Sequence, residues 1–519
     1  MQNSEYSTAP EGAPTKLEPQ NRVIITVLLV STFVVFLNET ILGVALPQIM
    51  VDLDIPASTG QWLTTAFMLT MAVIIPTTGF LLQRFSTRTM YIAAMTLFLI
   101  GTTIAAISMG FTELLIGRIL QASGTAIMMP LLMTTMMTIV PVHLRGQVNG
   151  NVAMVMSVAP AIGPAISGLI LSFANWHFLF VLMIPVGLVT FILGTIKITN
   201  THETEKLKLD VLSVILSAFG FSGLVYGLSS FADAARGTAA ISPWIPLAFG
   251  AIMFALFINR QIRLQKTDSA LLDLRTFRAP AFTAAIALMA MSMLVRFGSS
   301  ILIPIYMQDV LSTPALVTGL IMLPGGLMMG LFGPFVGRLY DRHGARVLLV
   351  PGSIGVSFAF WLMVTFGTDT SPWFVFVAYT VLCLGLAFLF SPLFAVSLSS
   401  VPPRLYSHAS ATIGTVQQLA GAAGTAMFVT VMTIVALNTP ANKMAGNVEP
   451  LAAGIHAAFL VGAILSFGVI VLAAMIKNPA TEAEMEEELR PKQQSPSGNH
   501  SASSRAADSG ESEPCTRFC

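Results

Sequence analysis

Residues 36–47 read Phe-Leu-Asn-Glu-Thr-Ile-Leu-Gly-Val-Ala-Leu-Pro, and they lie inside the first long apolar segment of the chain. This stretch contains Glu39, a carboxylate at the depth where the hydrocarbon core of a membrane would be. A charged side chain near the centre of a membrane helix costs about 2.5–3.5 kcal/mol on insertion scales, so such residues are usually kept for ion pairing, ion transport or substrate binding. The sequence raises the question of which role Glu39 has.

The composition indicates a polytopic membrane protein. Of the 519 residues, 55% are hydrophobic and 10% are charged, and the mean hydropathy is +0.78, whereas an ordinary soluble domain has about 25% charged residues. Fourteen segments between residues 23 and 476 are long enough to span a bilayer, since a membrane helix needs roughly 20 residues. The net charge of +1 indicates no nucleic-acid partner, and the three cysteines fit neither a disulfide framework nor a metal site.

Positive charge is distributed unevenly between the two sides of the predicted membrane domain. An even number of spans puts both termini on one side, and the connections on that side contain fifteen basic residues: Arg84, Arg88, Arg145, Lys197, Lys206, Lys208, Arg260, Arg263, Lys266, Arg275, Arg278, Arg338, Arg342, Arg346 and Arg404. The connections on the other side contain only Arg236 and Lys443. The positive-inside rule therefore predicts a multi-pass plasma-membrane protein with both termini in the cytoplasm. No cleaved signal peptide is expected, and the polar tails 1–21 and 478–519 are predicted to be disordered.

The chain contains an internal repeat. Eight positions correspond at an offset of 257 or 258, and all but the first pair carry the same residue: Glu39, Pro47, Met50, Asp52, Pro76, Gly79, Arg84 and Arg88 match Arg296, Pro304, Met307, Asp309, Pro334, Gly337, Arg342 and Arg346. The repeat predicts two homologous six-helix bundles at 22–200 and 281–477, with a two-helix insert and its linkers at 201–280. Parallel halves of this kind are a transporter architecture, with the substrate site at the midplane between them.

Three charged residues lie deep in the predicted membrane. Glu39 is the only deep acid, and Arg118 in the fourth segment reaches a depth at which the two side chains could pair. Glu39 is interpreted as a proton carrier or a ligand for a cationic substrate, with a static structural pair as the alternative. Arg296, at the repeat position equivalent to Glu39, is either a cavity residue or an arginine bonded to backbone carbonyls near Gly298.

Two loops carry a motif. Residues Gly337–Arg346 resemble the loop signature Gly-x-x-x-Asp-Arg-x-Gly-x-Arg of the major facilitator superfamily. The resemblance implies that Asp341, Arg342 and Arg346 form a charge latch on the cytoplasmic side. The first copy contributes Arg84 and Arg88 but has Gln83 in place of Asp and Ser86 in place of Gly, which predicts a weaker N-terminal latch. The alternative is a set of positive-inside anchors only.

Three further motifs resemble one branch of that family. Ala159–Gly168, with Gly163, Pro164 and Gly168, is similar to the antiporter signature Gly-x-x-x-Gly-Pro-x-x-Gly-Gly, although by itself it could reflect close helix packing. Arg118–Gly124 resembles Arg-x-x-Gln-Gly-x-Gly, a motif that is implicated in proton transfer. Residues 37–47 resemble the first-helix signature of the fourteen-helix drug:proton antiporters of the EmrB/QacA type, in a form typical of lincomycin-resistance-type members, with Asn38 where that signature has Asp.

These observations predict an all-α, fourteen-helix transporter with the major facilitator fold that exports amphiphilic drugs in exchange for protons. Glu39 and Arg118 are assigned to proton coupling, and Asn38, Glu39, Arg296 and Gln121 to the substrate cavity. No phosphate-binding Gly-x-x-x-x-Gly-Lys-Ser/Thr motif is present in the sequence, so a proton gradient rather than an ATPase domain or cofactor is expected to drive transport, in a monomer. The alternatives are an exporter or importer of metabolites, lipids or siderophores with the same fold, a membrane-embedded enzyme, and a receptor or scaffold.

Overall fold

The structure is a computed structural model that describes residues 18–55, 57–141, 144–200, 210–235, 237, 239, 241–267, 269–439 and 448–476. Most of both predicted tails, together with Lys206, Lys208, Arg236 and Lys443, lies outside these residues. The fourteen long helices are α1 Pro19–Asp52, α2 Ala57–Arg84, α3 Thr87–Ile107, α4 Phe111–Ile139, α5 Arg145–Leu171, α6 His177–Lys197, α7 Val211–Ala235, α8 Trp244–Leu264, α9 Pro280–Ile305, α10 Ala315–His343, α11 Arg346–Val364, α12 Pro372–Ser399, α13 Tyr406–Asn438 and α14 Val448–Met475.

The predicted all-α membrane architecture is confirmed. Fourteen helices in the described ranges are long and apolar enough to cross a membrane, and those ranges contain no strand. Helices are the expected solution because the interior of a bilayer offers no water to bond to backbone groups, and a helix satisfies them within one segment. Because successive spans alternate in direction, α1 begins and α2 ends on the same side. We call this side, which includes Arg84, Arg88 and Arg346, the basic face.

The helix packing repeats between the two halves of the chain. In the first half, α3 packs on α4 and α6, α4 also packs on α2, and α1 contacts α4, α5 and α6. The second half shows the same six pairings shifted by eight helices, since α11 packs on α12 and α14, α12 on α10, and α9 on α12, α13 and α14. This correspondence agrees with the sequence repeat. The residue boundaries of the two bundles stay a prediction.

The two halves meet along two equivalent seams, in which α5 contacts α10 and α12, and α13 contacts α2 and α4. Glycines let the backbones of α5 and α10 touch. A Cβ atom on Gly150 would overlap the carbonyl oxygen of Gly333 and lie 2.7 Å from the Cα of Pro334, and one on Gly146 would overlap the carbonyl of Gly337. Small residues at these crossings are the usual means of close helix approach in membranes.

The inserted helices α7 and α8 pack on each other, and α7 also contacts α2 and α13 beside one seam. Asp210, just before α7, accepts two hydrogen bonds from Arg260 of α8, at 2.6 and 2.8 Å. The Arg260 guanidinium lowers the pKa of Asp210 to about 2, so this pair stays ionised at neutral pH. Gln261 continues the polar cluster by donating to Ser213 at 2.8 Å and accepting from the backbone N–H of Leu271 at 2.8 Å.

Candidate functional site

A cavity of about 1260 Å³ lies between the two halves. Helices α1, α2, α4 and α5 line it on one side, and α9, α10, α12 and α13 line it on the other. Its wall is mostly apolar, with three methionines from each half and aromatic side chains that include Phe36, Phe297 and Tyr379. A volume of this size accommodates a drug-sized molecule, and an apolar wall with few polar groups is typical of small-molecule sites.

The cavity faces the side opposite the basic face. Its wall includes Leu169 near the last residue of α5, Thr318 near the first turn of α10, and Gln308 just beyond α9. Toward the basic face, the lining from α5 stops at Met156, eleven residues after the helix begins at Arg145. Eleven residues correspond to roughly 16 Å of helix, so packed protein separates the cavity from the basic face.

Polar contacts between the halves close the basic face. Asp341, near the end of α10, accepts hydrogen bonds from the backbone N–H groups of Gly146 and Gln147, both at 2.9 Å. These donors lie in the first turn of α5, where unpaired N–H groups and the helix dipole favour a carboxylate. At the equivalent seam, Gln83 donates to the carbonyl of Arg404 at 3.3 Å, and Thr134 bonds to Ser410 at 2.9 Å.

The structure thus joins both signature loops to the opposite half of the protein. Asp341 makes the contact through charge, whereas Gln83 makes it through a neutral amide. The remaining signature arginines, Arg84, Arg88, Arg342 and Arg346, are exposed on the basic face. Their role in a latch stays a prediction.

Replacing Asp341 by Asn should slow transport about ten-fold. The substitution removes the negative charge from two hydrogen bonds to the N-terminus of α5, and a hydrogen bond to a charged group contributes about 1.5–3 kcal/mol. The initial rate of substrate transport into proteoliposomes measures the effect. Asp309→Asn is the matched control, because Asp309 is exposed at the opposite face beyond α9. Equal rates in the two variants would contradict a latch through Asp341.

Glu39 lies in the cavity wall on α1. Its Oε2 atom is buried and makes no hydrogen bond to any residue that the structure describes. Both Arg118 and Arg296 interact electrostatically with the carboxyl group, although neither lies within 4.0 Å of it. The direct Glu39–Arg118 ion pair that the sequence allowed is therefore absent in this structure. A carboxylate with cationic neighbours but no hydrogen bond at one oxygen is available to a proton or to a ligand.

Arg118 is fully buried behind the cavity wall on α4. Its Nη1 donates to Gln121 at 3.0 Å and to Asn38 at 3.5 Å, and its guanidinium lies 4.1 Å from the ring centre of Phe67. Its Nε atom is buried without a hydrogen bond to any described residue. A guanidinium with one unused buried donor beside Glu39 can stabilise the ionised form of that carboxyl group.

Asn38 and Gln121 are placed differently from the sequence prediction. Neither lines the cavity, and both are buried in the network around Arg118, in which Gln121 also donates to Thr102 at 3.1 Å. The reason is helix geometry, since one residue along a helix rotates the side chain by about 100°. Glu39 points into the cavity, and its neighbour Asn38 therefore points into the first bundle.

Arg296 lies in the wall contributed by α9. The ring centres of Phe297 and Phe390 lie 5.4 and 5.8 Å from its guanidinium carbon. Among the described residues, its side chain makes one weak hydrogen bond, from Nη1 to the sulfur of Met293 at 4.0 Å. The alternative from the sequence, an arginine bonded to backbone carbonyls near Gly298, is not seen in the described residues, because Arg296 makes no such bond.

One part of the antiporter-like motif packs against α1, and another part lines the cavity. A Cβ atom on Gly163 would overlap the hydroxyl of Thr40, so this glycine lets α5 approach α1 at the residue next to Glu39. Gly168 lines the cavity near its mouth, and a Cβ atom there would contact nothing within 4 Å. The side chain of Pro164 lies outside the described part of the structure.

Several site residues carried no individual assignment from the sequence. Phe67 and Thr102 hold Arg118 and Gln121, Phe390 faces Arg296, and Gln417 and Gln418 line the cavity from α13. A phenylalanine or threonine is common in any membrane helix, so only its position in the fold distinguishes these residues. The Gln-Gln pair was the one available signal, since polar amides are uncommon in apolar spans.

Comparison with known proteins agrees with the fold. Residues 28–425 match the family model described as Major Facilitator Superfamily. The uncharacterized MFS-type transporter YcnB of Bacillus subtilis is 38% identical over 471 residues, which cover 90% of this chain and 98% of that protein. The lincomycin resistance protein LmrB of Listeria monocytogenes is 37% identical over 449 residues, covering 85% of this chain and 94% of that protein.

A solved structure of the proton:xylose symporter XylE superimposes with a TM-score of 0.61, covering 90% of this chain and 98% of that chain. At 13% sequence identity, this likeness shows the shared fold alone.

Proposed function

This chain belongs to the Major Facilitator Superfamily, and from that premise we propose that it is a proton-coupled exporter of amphiphilic drugs. The family is one of membrane transporters and not of enzymes. Drug export as the direction and substrate class is supported by the relative that is named a lincomycin resistance protein, by the antiporter-like motif and by the apolar cavity.

The proposal depends on the position of Glu39. It lines the cavity between the halves, one of its oxygens has no hydrogen-bond partner among the described residues, and two arginines act on it electrostatically. A carboxyl group releases its proton when a cation is near and retains it when it is desolvated, so a change of surroundings moves a proton. Rocking of the two halves around the cavity provides such a change.

The proposed transport cycle begins from the outward-open geometry of the cavity. By the positive-inside rule, the basic face is cytoplasmic and the cavity faces the outside of a plasma membrane in this state. A proton from outside neutralises Glu39 and weakens the attraction for substrate, which leaves. The Asp341 and Gln83 contacts then open, and Glu39 releases its proton on the cytoplasmic side and binds the next substrate. One chain contributes both walls of the cavity, which supports the proposal that a monomer is sufficient for transport.

Transport into proteoliposomes tests the proposal. With an imposed proton gradient, the purified protein should accumulate a dye or a lincosamide antibiotic against its gradient, and a protonophore should abolish the accumulation. One charge crossing 100 mV supplies about 2.3 kcal/mol, which sustains a nearly 50-fold gradient at about 1.4 kcal/mol per decade. Transport that is unaffected by the protonophore would contradict proton coupling, and failure to move any such compound would contradict the substrate class.

A further inference from the structure

The charges in and around the cavity are not balanced. Glu39 and Arg296 are the two formally charged side chains in the wall that the described residues form, and Arg118, which bonds to the neighbouring Asn38, also acts electrostatically on Glu39. With Glu39 ionised, the three groups sum to one positive charge, and with Glu39 protonated they sum to two. A substrate that is only a cation is therefore repelled by the second half of the cavity, where Arg296 has no carboxylate partner within 4.0 Å.

Arg296 has unused hydrogen-bonding capacity. A guanidinium carries five N–H donors in a planar fork that suits carboxylate and similar acceptor groups. Here a thioether sulfur at 4.0 Å is its one described side-chain acceptor, and the rings of Phe297 and Phe390 flank it. Because Arg296 lies in the cavity wall, its unused donors are available to an acceptor group on a bound molecule.

We propose that Arg296 is the second polar anchor of the substrate site, and that the preferred substrates are dipolar amphiphiles. Their basic amine lies against Glu39 on α1, and a carboxylate or comparable acceptor lies against Arg296 on α9. This inference rests on the proposed exchange of substrate for protons. A pure anion would bind better once Glu39 is protonated and would thus travel with the proton, whereas the amine of a dipolar substrate competes with the proton at Glu39.

Three fluorescent dyes that share the xanthene framework separate the charge types. Rhodamine 123 is an ester and a cation, rhodamine 110 is the free acid and carries both charges, and fluorescein carries a carboxylate and a phenolate but no cation. Equilibrium binding of each dye to the purified full-length protein, without any gradient, gives the affinities. We expect rhodamine 110 to bind about ten-fold more tightly than either of the other two.

Substitution of Arg296 identifies the anchor. Arg296→Gln should weaken the binding of rhodamine 110 about ten-fold and leave the affinity for rhodamine 123 unchanged or higher. Arg296→Lys keeps the charge but loses the planar fork, so it should bind rhodamine 110 with an intermediate affinity. Arg22→Gln, at an exposed arginine near the start of α1, is the matched control and should bind as the wild type does. The unfolding temperature of each variant establishes that it is folded.

Other results overturn the proposal. The proposal is wrong if the wild type binds rhodamine 123 at least as tightly as rhodamine 110, or if it binds none of the dyes. It is also wrong if Arg296→Gln lowers the affinity for both rhodamines equally. Because binding is measured without a proton gradient, these results are separate from the coupling test. Protonophore-sensitive export that is independent of Arg296 would support proton-coupled export and contradict only the proposed role of Arg296.

Discussion

Replacing Glu39 by Gln should abolish the ability of this transporter to build a substrate gradient from a proton gradient. Glutamine preserves the size and shape of the side chain but cannot titrate, so no proton crosses with each cycle. The nearly 50-fold accumulation that one proton could support at about 1.4 kcal/mol per decade should fall to equilibration. Exchange of labelled for unlabelled substrate should continue, because the proposed rocking of the two halves does not require a titratable side chain at position 39.

Proteoliposomes with an imposed gradient measure both quantities on the same preparation. Glu113→Gln is the matched control, because Glu113 lies in the first turn of α4, where its carboxylate accepts from the backbone N–H of Met109 at 2.7 Å, outside the cavity wall. The control should accumulate substrate as the wild type does. If Glu39→Gln still accumulates substrate under a proton-motive force, another group carries the proton.

Replacing Gly150 by Ala should open the basic face. The added methyl group would overlap the carbonyl oxygen of Gly333 and lie 2.7 Å from the Cα of Pro334, and both are backbone atoms that cannot rotate away. Overpacking of a close contact costs about 1–3 kcal/mol. The structure shows this contact with the basic face closed, and the proposed rocking of the halves would break it, so the equilibrium should shift by up to about 100-fold toward the open state, at about 1.4 kcal/mol per decade.

Cys383 is a convenient reporter for this shift, because it is a buried free cysteine in the cavity wall. With Cys515 and Cys519 replaced by serine it is the only thiol in the chain. Gly150→Ala should increase its labelling by a membrane-impermeant maleimide from the basic face and decrease it from the opposite face. Gly355→Ala in α11 is the matched control, since its Cβ would have an ordinary contact of 3.5 Å with Gly385. Labelling that is identical in both variants would show that the α5–α10 seam does not control access.

Sequence patterns predicted most of the fold because a bilayer restricts the available structures. An apolar run of the required length can only be a helix, and the repeat that relates Glu39 to Arg296 indicated two equivalent halves. The same pattern could not predict which glycines touch. Gly150 and Gly168 lie on the same helix. A Cβ atom on Gly150 would overlap a backbone carbonyl, whereas a Cβ atom on Gly168 would meet nothing within 4 Å. That difference depends on how two distant helices cross.

Depth and charge identified Glu39, Arg118 and Arg296 as unusual, and the signature loop identified Asp341. The sequence alone could not assign their partners, because a partner is chosen by helix rotation and by contacts across hundreds of residues. Asn38 and Glu39 are adjacent in the chain, but Asn38 bonds to Arg118 inside one bundle while Glu39 lines the cavity. Asp341 and Gly146 are 195 residues apart and form a hydrogen bond.

For this protein, the sequence by itself determined the membrane class, the fourteen helices, the internal repeat and the presence of one deep acid in residues 36–47, because these features follow from apolar length and local composition. Only the tertiary structure decided that Glu39 faces an open cavity without an ion-pair partner within 4.0 Å, opposite an equally unpaired Arg296. The physical reason is that helix length depends on neighbouring residues, whereas the surroundings of a buried charge depend on which helices pack around it.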